Sequence, residues 1–96
     1  MTTFTKDPNA VLDYYIDWSD WMTTGDVIST SEWSIANTNP DIVIDYSSVA
    51  DSVAAVWLSG GKIGVTYTIT NRITTVGDGV HNRVNDRSIQ VTIKSL

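Results

Sequence analysis

The sequence predicts an all-β protein of about six or seven antiparallel strands in two packed layers. Three observations carry this. Val and Ile together number 21 against three Leu, with 13 Thr beside them; β-branched side chains are stiff at χ1 and suit a pleated surface better than a helix. Several segments alternate apolar and polar residues with period two, the mark of a half-buried strand. Clusters of Gly, Asn, Asp and Pro then cut the chain at short intervals, the spacing of a sandwich or small barrel. The 96 residues make one such domain, and there is no cysteine, so neither a disulfide nor a thiolate metal site can reinforce it. Stability must come from packing or from partner subunits.

The elements follow in order. Residues 1–8 are polar, contain Asp7-Pro8 and show no period; they read as a flexible N-terminal arm ahead of a single domain over residues 9–96. From Val11, the residues Leu12, Tyr14, Ile16 and Trp18 share one face, with Asp13, Tyr15 and Asp17 opposite. Ser19–Asp26 breaks the alternation, and Ser19 is placed to cap one helical turn carrying Trp21 and Met22, ended by Gly25. Ile28–Ile35 is extended again, with Trp33 and Ile35 on one side, and Asn37–Asp41 is a turn. Ile42, Ile44 and Tyr46 then alternate with Val43, Asp45 and Ser47, and Ser48–Ser52 reads as a polar link. Val53–Leu58 is apolar on both sides, as in a strand covered twice or one with a face awaiting a partner. Val65–Thr75 is the longest alternating run, Val76–Asp86 a long loop, and Ile89, Val91 and Ile93 form the closing strand.

Within this plan Tyr67 stands just after the glycine turn Ser59–Lys62, at the start of a core strand. In immunoglobulin-like and fibronectin-like β-sandwiches a tyrosine so placed returns its hydroxyl to the preceding connection and pins the corner. The pattern resembles the fibronectin type, with Gly60-Gly61 and Gly64 where Pro-Gly is usual. An ordinary core tyrosine is the alternative. The expected fold is thus an Ig-like sandwich with Tyr67 as its structural corner.

Charge and motifs narrow the function. The net charge of −5 argues against nucleic acid, which needs a basic surface. Residues 1–60 hold nine acids against Lys6 alone, a balance of −8, whereas residues 61–96 hold two acids against five bases, a balance of +3. Such polarity can steer partners if folding does not interleave it away. No apolar run is long enough to span a bilayer, and no basic-then-apolar leader opens the chain. Together with the missing cysteine, this sets the expectation of a protein that stays in the cytoplasm in which it is made.

No chemistry is visible. His81, the one histidine, lies in the Gly-rich loop without an oriented partner. Asp13 and Asp17 share a strand face about 13 Å apart, too far for one cation without Asp20, and no calcium-loop spacing surrounds them. No catalytic residue, cofactor or metal is expected. The four tryptophans exceed the needs of so small a core, and Trp is frequent at interface hot spots. The candidate interface residues are Trp21, Trp57, Val53, His81 and Arg83, the last pair in the 76–86 loop.

The blocks FTKDPNAVLDYYIDWSDWM, WLSGG, YTITNRITT and DRSIQVTI resemble, in this order and over nearly the whole chain, a group of small proteins of tailed bacteriophages and prophages encoded among the virion-structure genes. The 76–86 loop departs from the group. The resemblance implies a non-enzymatic virion protein acting by contact, as a capsid decoration, a head–tail connection or a tail-associated component. Its expected partners are capsid, connector or tail proteins, or other copies of itself, with no nucleic acid or membrane. The residues leave one other reading open, a carbohydrate- or host-receptor-binding module, since exposed Trp and Tyr stack on sugar rings.

Overall fold

The alternating segments become seven strands: β1 (Thr2–Lys6), β2 (Leu12–Asp17), β3 (Ile28–Ile35), β4 (Ile42–Ala50), β5 (Val53–Gly60), β6 (Thr66–Thr75) and β7 (Val84–Ile93). The computed structural model describes residues 2–23, 25–36, 41–77 and 82–95. Among them there is no helix. Two sheets form, one of four strands in the order β1-β7-β6-β3 and one of three in the order β2-β5-β4. Their inward residues share one core: Tyr14, Ile16, Ala54, Val56 and Leu58 from one sheet meet Tyr67, Ile69, Ile73, Val91 and Ile93 from the other.

One polar group sits at the centre. Asn71 is fully buried, and its Oδ1 accepts the Trp18 indole N–H at 2.9 Å while its Nδ2 donates to Ser31 Oγ and Glu32 O. A buried amide is costly unless bonded. Here the bonds tie the segment after β2 to β3 and β6, so Trp18 locks one sheet against the other.

The structure corrects four local expectations. Residues 2–6 are no arm: β1 runs parallel to β7, with Phe4 opposite Val91 and Lys6 opposite Ile93. The strands are therefore not all antiparallel. The period was hidden because a lysine occupies an inward position. Lys6 is fully buried, and its Nζ donates to Asp7 O at 2.9 Å and Gly60 O at 2.8 Å. Burial lowers its pKa, and the nearby Asp7 and Asp45 carboxylates offset part of that.

Ser48–Ser52 is no separate link, because β4 continues to Ala50, which opposes Val53 across a two-residue connection. Asp51 takes the left-handed backbone there, φ 55°, a conformation Asp tolerates. The ladder also slips at Asp45, so that Ile44 opposes Leu58 and Tyr46 opposes Trp57. A bulge of one residue reverses the facing of everything beyond it, and Tyr46 points outward instead of joining Ile42 and Ile44. After β2, the chain makes a bonded turn, Trp21 and Met22 N–H to Trp18 O, without a helix. The cap is Asp17, whose carboxylate accepts Ser19 N–H at 2.9 Å, rather than Ser19 itself.

The glycine turn after β5 is built from necessity. Gly60 and Gly61 have φ of 76° and 104°. A side chain at Gly60 would strike the Asp41 carbonyl, and one at Gly61 would strike Ile93. Lys62 N–H donates to the Tyr67 hydroxyl at 3.0 Å across this turn.

Candidate functional site

Directly opposed residues of an antiparallel pair share a face, so the registers of β2, β5 and β4 define the outside of the three-stranded sheet in rows. The first row is Asp13, Trp57 and Tyr46; the second is Tyr15, Ala55 and Ser48; the third is Asp17, Val53 and Ala50. Trp57 and Tyr46 pack with ring centroids 5.3 Å apart, tilted by 60°. Tyr15 and Tyr46 are 65% and 60% exposed, and Val43 beside them 47%. Val53, Ala55 and Trp57 stay half-exposed although β5 is the central strand. The face is therefore a contiguous aromatic and aliphatic surface, of the kind that marks contact sites. The charges its strands carry have one sign. The three strands carry Asp13, Asp17 and Asp45 and no Lys or Arg. Hydrogen bonds from Ser19 N–H and Ser52, with the Arg87 charge nearby, hold the Asp17 carboxyl below its usual range.

The outside of the four-stranded sheet differs. Thr66 bonds Thr92 and Thr70 bonds Ser88, each at 2.8 Å, and Thr3 bonds Gln90. Arg72 grips Asp86 with two bonds of 2.8 and 3.0 Å.

A second cluster lies where the segment after β2 meets the start of β7. The Arg83 guanidinium covers the Trp21 ring at 4.3 Å and donates to Thr23 Oγ1. Arg87 covers Trp18 at 4.5 Å and pairs with Asp20 at 2.9 Å, and this pairing lowers the Asp20 pKa. Close by, burial pushes the Asp26 carboxyl upward, but hydrogen bonds from Gly77, Thr75 and Val27 outweigh it and hold it below the usual range. Asp26 thereby ties the β6–β7 connection to the base of β3.

Of the sequence-predicted interface residues, Trp57 and Val53 thus share the outer face of β5, and Trp21 and Arg83 are brought into contact at the end cluster. His81 lies outside the described residues. Asp13, Asp17 and Asp20 are not gathered, since Asp20 turns to Arg87. Among the described residues no group of three or more His, Asp or Glu could hold a metal ion. An open groove between β2 and β7 contains Asp17 and Arg87, and another contains Arg72 and Asp86; in both, these charges are already bonded within the chain. Sequence reasoning put Tyr15 on the outward face of β2 without naming it an interface candidate, and it missed Tyr46 as a surface aromatic. The bulge at Asp45 concealed Tyr46.

No curated protein matches the sequence. A protein-family model described as podophage GP4 fiber-tail adaptor protein gp77 matches residues 6–92. With most of its length matched, the chain belongs to this family of bacteriophage virion proteins.

Proposed function

We propose that the chain is a tail-associated adaptor, an immunoglobulin-like module that joins a tail component to a fibre by surface contact and carries out no chemistry. The family description supports the tail location. The strand order supports the Ig-like assignment: β7-β6-β3 faces β2-β5-β4, and the first strand lies parallel to the last. The Tyr67 hydroxyl on the Lys62 N–H supports it further, since that bond is the tyrosine corner of such domains.

The observation that carries the docking role is the outer face of the three-stranded sheet, where Trp57, Tyr46 and Tyr15 form an uncovered aromatic surface. An adaptor needs a second contact region. The end cluster of Trp21 and Arg83, continuous with the β6–β7 connection, is the candidate on a molecule 46 Å long and 22 Å across. Many copies engaging at once let modest contacts add to a firm assembly.

The test is co-sedimentation of the purified chain with three separate preparations: fibre protein, particles lacking fibres, and empty heads. The reading predicts binding to the first two and not to the third. Binding to heads alone would overturn it.

A further inference from the structure

Two of the tryptophans carry an arginine on the ring, one of them with a paired carboxylate, and a third has the carboxylate without the arginine. Trp18 carries the Arg87 guanidinium on its ring, and Asp20 pairs with that arginine. Trp21 carries the Arg83 guanidinium. Trp57 stands directly across from Asp13 on β2, with Tyr46 on its other side. Here the ring and the carboxylate are present, yet no cation pairs with Asp13 among the described residues, and β2, β4 and β5 contain none. Asp17 adds a second negative charge two rows away, partly offset by the nearby Arg87.

From this juxtaposition we infer that the outer face of the three-stranded sheet receives an arginine-bearing surface of a partner protein, a guanidinium lying against Trp57 and Tyr46 with Asp13 beside it. Arginine fits better than lysine because its plane stacks on an aromatic ring while its edge donates to a carboxylate. Two copies packed symmetrically through this face are disfavoured, because Asp13 and Asp17 of each would confront a face of the same sign. The groove that Tyr15 and Asp17 border against β7 is open, whereas a small ligand needs an enclosing cavity, so the face suits a protein surface better than a sugar. The inference rests on the docking role proposed above and adds the chemistry of the partner.

The experiment is binding of the purified chain to phage particles assembled without it, at low and at near-physiological salt, comparing wild type with Asp13→Asn/Asp17→Asn and with Trp57→Ala. Asn keeps the oxygen that accepts from Ser19 N–H but loses the charge, so a small drop in thermal stability is expected, and thermal unfolding checks that the double variant stays folded at the binding temperature. The double variant is expected to bind roughly threefold to tenfold more weakly at low salt, the scale of two exposed ion pairs. It should also lose most of the salt dependence that wild type shows. Trp57→Ala should weaken binding at both salts. If Trp57→Ala binds less well while the double variant matches wild type at both salts, the arginine inference falls and the docking role stands. If Trp57→Ala binds normally, the docking role falls with it. A saturable tryptophan-fluorescence response to a host polysaccharide that Trp57→Ala abolishes, or self-association abolished in the double variant, would replace the partner protein with a sugar or a second copy and overturn the inference.

Discussion

On the four-stranded sheet the outward side chains of β6 and β7 close on one another, Thr66 with Thr92, Thr70 with Ser88, Arg72 with Asp86. On the three-stranded sheet the outward apolar side chains of β2, β5 and β4 include Tyr15, Trp57, Tyr46 and Val53, with Tyr15 and Tyr46 exposed and Trp57 and Val53 partly so. Both faces are built on the same alternation with a common core between them. Much of the first's polar surface is bonded within the sheet, so a partner gains less there. The second leaves apolar area in water, and each Å² removed is worth roughly 25 cal/mol. The difference shows that outward parity alone does not make a surface inert; what matters is whether the outward groups satisfy each other.

Substitutions can break or sharpen this contrast. The largest effect should come from the interior that both faces share. Trp18→Ala removes a fully buried indole and strands the Asn71 amide oxygen, and it should cost about 3–5 kcal/mol in denaturant unfolding. Trp57→Ala should divide differently, with about 1 kcal/mol lost in stability and at least about 2 kcal/mol lost in binding to tail particles. Equal losses in the two assays would put Trp57 with the core.

Tyr67→Phe deletes the bond to Lys62 N–H and should lower stability by about 1 kcal/mol with binding unchanged. Acid should act through carboxylates that are hydrogen-bonded or ion-paired in the folded chain. Asp17, Asp20, Asp26 and Asp86 all have pKa values lowered from 3.8 in the folded chain. Around that pH the unfolded chain binds more protons, so their contribution is fully present above about pH 4 and is lost as pH falls through the folded values. Urea unfolding at a series of pH values should show stability level near neutrality and declining below about pH 4; a flat profile would contradict the pairing seen here. The smallest effect belongs to Thr70→Val on the polar face, within about 0.5 kcal/mol in stability and without change in binding.

Much of the inward set of the core was readable from period two. Tyr14, Ile16, Trp18, Tyr67, Ile69 and Ile73 all have the parity that the alternation assigns, and all are buried; in β5, apolar on both sides, parity alone could not choose Ala54, Val56 and Leu58 over Val53, Ala55 and Trp57. Asn71 obeyed the same parity although polar, because its partners Trp18, Ser31 and Glu32 arrive from other strands. What escaped depended on tertiary contacts. β1 is held by β7 from the far end of the chain and by carbonyls around Lys6, none of which leaves a local signal. The slip at Asp45 is a register event between β4 and β5, and it alone decides that Tyr46 joins Trp57 outside. The acidic first part of the chain did not fully interleave with the basic last part, since β2, β4 and β5 all come from residues 1–60 and keep their carboxylates on one sheet.

Hydroxyl-radical footprinting of the chain, free and bound in the assembled particle, bears most directly on the claim that the aromatic sheet face is the contact surface. Tyr15, Tyr46 and Trp57 should be oxidised readily in the free chain and protected in the particle. Equal oxidation of these three residues in both states would contradict it.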